Sequence, residues 1–152
     1  MLKKINERSR PIVIIVFIAM MLIGLWVTPN YGMPWDELLE IRTLGSNVRE
    51  YIGLFAGEEN RPVRSSTGIA FTDYTENPDM DHGQSAFYPF APLLFANLGS
   101  EGPRTLMILY HSYNFLLFMA GVICLYFIGK HLTKDWKYGL LASLFMYLSP
   151  RF

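Results

Sequence analysis

The chain has 152 residues, enough for one ordinary domain and too few for two large ones. Hydrophobic residues make up 51%, aromatic residues 15% and charged residues 17%, against roughly 25% charged in a typical soluble protein. Thirteen basic and thirteen acidic residues cancel, so the balance gives no reason to expect a nucleic-acid partner. The single cysteine, Cys124, excludes an internal disulfide framework and any multi-cysteine metal site.

The first ten residues form a basic flank carrying Lys3, Lys4, Arg8 and Arg10. From Pro11 to Thr28 the chain reads PIVIIVFIAMMLIGLWVT without one charge. A helix of that length spans about 27 Å, close to the ~30 Å hydrocarbon core of a bilayer. Trp26 and Tyr31 lie near its far end, where aromatic belts form. A cleaved secretory signal is the competing reading, but the exit LWVTPNYGMPWDE offers no small-x-small cleavage site. A second run free of acids, lysines and arginines covers residues 105–129. A cytoplasmic turn, 130–137, follows it, and a third apolar run begins at 138 and stops with the chain at 152, short of a full span. The sequence therefore predicts an all-α membrane protein, with transmembrane helices plus a long outer loop holding amphipathic interfacial helices, truncated within its third span.

Lysine placement orients these segments. All five lysines lie before the first span or between the second and third, which predicts that both regions are cytoplasmic. Residues 29–104 then form an extracytoplasmic loop. That loop holds eleven acids against five arginines, a net charge of about −6, which an anionic cytoplasmic leaflet would repel.

A connection of this length exceeds what two spans need. Within it, Pro34 to Phe55 predicts an amphipathic helix whose apolar face carries Leu44, Val48, Tyr51, Ile52 and Phe55. Gly57 to Gly83 reads as irregular loop, and Phe87 to Leu98, broken by Pro89 and Pro92, as an interfacial or re-entrant piece.

Asp36 and Glu37 follow the first span closely. One reading is structural: Pro34 suits a first helical position, and acids in a first turn favour the helix dipole. The other is that a carboxylate near the bilayer surface acts as general base on a lipid-delivered substrate. The run NPDMDHG, Asn77 to Gly83, brings Asp79, Asp81 and His82 together. Their donors suit a divalent cation, yet the calcium-loop pattern fails, and a solvated acidic loop explains them equally. Arg61 and Arg64 either bind phosphate or pair with neighbouring acids. His111, Ser112 and Asn114 open the second span and suit the interface. Cys124, Gly121 and Gly129 suit helix packing. No Gly-rich phosphate loop or zinc-protease motif occurs.

Three stretches, GMPWDE (Gly32 to Glu37), DHGQSAFYPFAPLL (Asp81 to Leu94) and the run from Arg104 through YFIGKHL and YGLLASLFMYLSPRF, carry a family likeness. Together with the order of flank, span, acidic pair, outer loop and packed spans, they resemble the N-terminal part of glycosyltransferase C superfamily enzymes. The likeness is to the branch of protein O-mannosyltransferases, aminoarabinose transferases and related polyprenyl-phosphate-sugar transferases. The resemblance implies transfer of a sugar from a lipid-linked donor to an acceptor (protein, lipid or glycan) at the outer membrane face. It implies a catalytic role for Asp36 as base, with Glu37 as its neighbour at the substrate; Arg61 and Arg64 are the loop's own candidates for binding the substrate's phosphate. Asp81 and His82 are then candidate ligands of a divalent metal cation. It further implies a multi-pass plasma (inner) membrane protein surrounded by membrane lipids. Such enzymes have many more spans than the two and a part present here, so the fragment alone is expected to be inactive. Two other classes compete: a non-enzymatic multispan subunit whose outer loop binds a partner, and a transporter fragment. The absence of acids, lysines and arginines from both spans counts against the transporter.

Overall fold

The computed structural model describes residues 2–32, 36–76 and 84–149, with side chains from Arg10 onward apart from Tyr74. The described residues are mostly helical and contain no strand, only one isolated antiparallel bridge between Arg64 and Ala70. Four α-helices follow in chain order: α1 (Leu2–Val27), α2 (Glu37–Ala56), α3 (Gly102–Thr133) and α4 (Trp136–Tyr147). A 3-10 segment, Ser85–Leu94, lies between α2 and α3.

The expected elements are present with shifted ends. The basic flank is helical and continuous with the apolar run, because lysine, glutamate and arginine are good helix formers. Pro11 costs that helix one N–H donor rather than its continuity. At the other end Pro29 disfavours helical geometry at Thr28, and the chain leaves α1 through a single 3-10 turn, Thr28–Asn30. The amphipathic helix runs from Glu37; Pro34, its expected first residue, lies outside the described residues. α3 begins before residue 105, with Pro103 in its first turn, where a missing N–H costs nothing. It closes on Lys130 and His131, whose basic groups suit the negative end of the dipole. The expected loop 57–83 is irregular where described, apart from the short 3-10 turns Glu58–Asn60 and Tyr74–Glu76.

α1 and α3 are both long and apolar enough to cross a membrane, yet only 17% of each apolar window is buried. The core helix of a soluble protein would bury most of such a stretch. Here Ile14, Ile15, Ile18, Leu22 and Ile23 stand exposed along α1. At 32 residues α3 is about 48 Å long, more than a ~30 Å hydrocarbon core requires.

The chain divides into two compact units. The first comprises Met1–Asn30 and His111–Phe152 and contains α1, most of α3, and α4. Its core is Met20, Met119 and Val122, enclosed by Phe17, Phe115, Phe118, Leu144 and Met146 among others. Close approach depends on glycine: the Phe115 ring fills the space a side chain on Gly24 would need. Gly129 faces Gly139, where an added Cβ would lie 3.0 Å from the Gly139 Cα. Gly121 and Cys124, by contrast, are exposed. Two polar ties cross between helices. The Tyr147 hydroxyl donates to the Met20 carbonyl at 2.9 Å, and Ser143 Oγ lies 3.0 Å from the Val122 carbonyl and 3.1 Å from that of Gly139. α3 passes to α4 through Lys134, at φ 58°, and Asp135, whose carboxylate accepts the Lys137 N–H at 3.0 Å and caps α4.

The second unit is Tyr31–Tyr110. The first half of α2 supplies its centre: Ile41 and Leu44 are fully buried, with Thr43, Gly45, Ser46 and Asn47 beside them. Phe90, Ala91 and Leu94 of the 3-10 segment and Leu106 and Tyr110 of α3 are buried with them. The Phe71 ring covers Gly45 and meets Phe95 edge-on at 6.0 Å. The amphipathic face predicted for α2 is divided. Leu44 is interior, while Tyr51 and Phe55 at the far end are exposed, together with Leu54. The core of this unit ends before the helix does.

Candidate functional site

Asp36 stands at the N-cap position of α2 with helical backbone angles (φ −84°, ψ −21°), and its carboxylate makes no capping bond. Only its carbonyl serves the helix, accepting the Glu40 N–H at 2.9 Å. The side chain is exposed and forms no ion pair or hydrogen bond among the described residues. A capping aspartate normally rotates its carboxylate back onto the free N–H groups of the first turn. In the helical conformation adopted here the side chain points away from that role. Its charge remains favourable at the positive end of the α2 dipole.

Glu37 and Glu40 share the first turn of α2, and both are half-buried. Glu40 has a firm partner: the Tyr110 hydroxyl donates to its Oε2 at 2.6 Å. Tyr110 is itself interior, stacked on Phe87 at 5.6 Å and edge-on to Phe90 at 5.3 Å. The aromatic cluster thus fixes the phenol, and the phenol fixes Glu40. A carboxylate four residues after Asp36 lies on the same helix face. Sequence reasoning passed over Glu40 and Tyr110; the one-turn spacing from Asp36 was the available signal for the first, and nothing local marked the second.

The Tyr110–Glu40 bond is a hydrogen bond to a charged group by a buried donor. Tyr110→Phe keeps the ring packing and removes only the hydroxyl. We expect a loss of about 1–2 kcal/mol, since a half-buried carboxylate regains some water. Chemical denaturation of the purified protein measures it, and an unchanged midpoint would show that the bond contributes nothing.

Arg61 does not stand free for a substrate. Its guanidinium is 3.0 Å from Glu50 and 2.7 Å from Glu58, and it lies over Gly53. Arg49 reaches Asp73 at 2.7 Å. Of the sequence's two readings for Arg61, local pairing is the one realised, and a phosphate would have to displace two carboxylates. Arg64 is exposed and makes no ion pair among the described residues. Asp81 and His82, the candidate metal ligands, fall outside the described residues, as does the rest of Asn77–Gly83. Among the described residues no cluster of three potential metal ligands occurs.

The candidate site therefore consists of one exposed carboxylate at the head of α2, unpaired among the described residues, and one anchored carboxylate a turn further on. An exposed carboxylate of this kind can take the proton of a hydroxyl brought against it. No protein-family model, curated protein or solved structure matches the chain.

Proposed function

We propose that the chain is the N-terminal part of an integral membrane glycosyltransferase of the glycosyltransferase C type. It moves a sugar from a polyprenyl-phosphate carrier to an acceptor at the outer face of a plasma (inner) membrane. The observation that carries the reading is the exposed carboxylate of Asp36, without a partner among the described residues and nine residues beyond the last residue of the apolar helix α1. In this reading α1 and α3 cross the bilayer, and α4 belongs to a third span. The lysine-bearing ends face the cytoplasm, and residues 29–104 lie outside.

The chemistry balances on this chain's own groups. An acceptor hydroxyl oxygen attacks the anomeric carbon, and the bond from that carbon to the lipid phosphate oxygen breaks. The hydroxyl proton passes to Asp36, and the lipid phosphate leaves with the electron pair. Glu40, held by Tyr110, orients the hydroxyl from one turn away. Charge on the departing phosphate needs a basic group or cation. Arg64, exposed and without an ion pair among the described residues, is a candidate for that role, and Asp81 and His82 are the candidate ligands for a cation.

The test is transfer of radiolabelled sugar from polyprenyl-phosphate donors in membranes containing the protein expressed from its whole reading frame. Label in an acceptor supports the transferase. Absence of transfer from a broad set of donors and acceptors moves the competing reading ahead, that of a non-enzymatic subunit whose outer loop binds a partner.

A further inference from the structure

The turn between α3 and α4 gathers positive charge that nothing in the fold neutralises. Lys130, Lys134 and Lys137 lie within eight residues, and Asp135 is the only acid between Gly102 and Ser149. Its carboxylate is engaged locally, accepting the Lys137 backbone N–H at 3.0 Å. None of the three ammonium groups makes an ion pair among the described residues. The turn itself is held. Thr133 Oγ1 donates to the Gly129 carbonyl at 2.8 Å and accepts the Asp135 N–H at 3.3 Å. Gly139 lets the two helix ends touch, since a Cβ there would lie 3.0 Å from the Lys130 nitrogen. Lys130 is held too, its ammonium 5.8 Å from the centre of the buried Tyr126 ring, within cation–π range. A cation fixed in advance loses less freedom when it binds.

The surface next to these lysines selects the occupant. On α4, Leu141 and Phe145 follow Lys137 at successive spacings of four, so one helix face passes from charged to apolar. Phe145 is 70% exposed. On α3, Phe127 stands one turn before Lys130 and is 60% exposed. A soluble phosphate would meet the lysines and leave both apolar tracks bare. A phospholipid meets both, with phosphate at the turn and acyl chains along the tracks. Three lysines against one acid leave a charge of about +2, which one phosphodiester does not neutralise. Two phosphates in one headgroup match it.

We propose that the α3–α4 turn is a binding site for an anionic phospholipid with two phosphates, of the cardiolipin class. Lys130, Lys134 and Lys137 hold the headgroup, and Phe127, Leu141 and Phe145 line its chains. The site rests on the membrane reading given above and is independent of sugar transfer. It is also narrower than the charge bias that orients spans, which any lysine on the same side satisfies.

The experiment uses the full chain reconstituted in phosphatidylcholine bilayers containing a trace of spin-labelled cardiolipin, phosphatidylglycerol or phosphatidylcholine. Electron spin resonance reads the fraction of each lipid immobilised at the protein surface. Cardiolipin is expected to be held at least about fivefold more strongly than phosphatidylcholine, roughly the factor that one lysine at a charged surface supplies. Phosphatidylglycerol should fall between them. In the variant Lys130→Gln, Lys134→Gln, Lys137→Gln the preference is expected to drop below about twofold. Its immobilised phosphatidylcholine should be unchanged, which shows that the variant is still embedded. The matched variant Lys3→Gln, Lys4→Gln, Arg8→Gln removes as much charge from the amino-terminal flank and is expected to keep the preference. Equal loss in both variants, or no preference in the native protein, overturns the site and leaves the membrane reading standing. Should the first variant fail to reconstitute, Lys134→Gln alone, at an exposed position, must still lower the preference, and an unchanged value overturns the site. If the native protein immobilises none of the three lipids, both readings fall.

Discussion

Replacing Asp36 by asparagine is expected to lower sugar transfer from a polyprenyl-phosphate donor by about 10²–10⁴-fold, the usual contribution of a positioned general base. A hundredfold loss corresponds to about 2.7 kcal/mol of transition-state stabilisation. The substitution is clean for structural reasons. The carboxylate makes no capping bond, and the bond that starts the helix uses the Asp36 carbonyl, which asparagine retains. Asparagine is also an excellent N-cap residue, so α2 has no reason to fray. Native protein and variant should therefore accumulate equally in membranes and melt alike, and kcat/KM alone should fall. Equal rates in the two would leave the transferase standing and move the base elsewhere. The informative companion is Glu40→Gln, which weakens the Tyr110 bond and is expected to change both the melting midpoint and the rate.

Gly139→Val is expected to be the most disruptive single change in the unit formed by α1, α4 and α3 from His111 onward. A Cβ at Gly139 would lie 2.5 Å from the Tyr126 carbonyl oxygen and 3.0 Å from the Lys130 nitrogen, both backbone atoms of α3. No side-chain rotation can relieve that clash, so α4 must move off α3. The Ser143–Val122 contact and the Tyr147–Met20 hydrogen bond depend on the same seat. A cost of about 3 kcal/mol follows, the upper end for overpacking, because the obstruction is main chain. In the membrane reading proposed above, the loss is not recovered by hydrophobic burial, since packing and polar ties hold helices together in lipid. Gly121→Val is the control. Its nearest neighbour is the end of the flexible Met146 side chain at 3.8 Å, so it should be close to neutral. Thermal unfolding in micelles, followed by circular dichroism, compares the two; similar midpoints would overturn the packing argument.

Much of the helical layout is written locally. α1 and α3 are legible as unbroken apolar runs, because one long helix satisfies its own backbone and needs no partner to be recognised. The start of α2 near Asp36 and Glu37 follows from acids in a first turn, and α4 from the apolar run that begins at residue 138, to which the structure adds Asp135 as cap. The basic flank before Pro11 is helical as well as charged, because charge marks a membrane boundary whereas helix propensity ignores it.

The sequence by itself determined which stretches are helical, which of them are apolar enough to cross a bilayer, and that an acidic pair follows the first. Only the tertiary structure decided what each side chain near that pair is free to do. Tyr110 is seventy residues from Glu40 and becomes its partner through a cluster that includes Phe87 and Phe90. Arg61 admits two readings in the sequence, phosphate ligand or local ion pair, and the fold encloses it between Glu50 and Glu58. The periodic face of α2 reads as continuous, yet Leu44 finds a core and Phe55 does not. The physical reason is common to all three. Helix formation and bilayer partitioning depend on neighbours within a few residues, whereas the freedom of a carboxylate, a guanidinium or an apolar face depends on what distant chain folds against it.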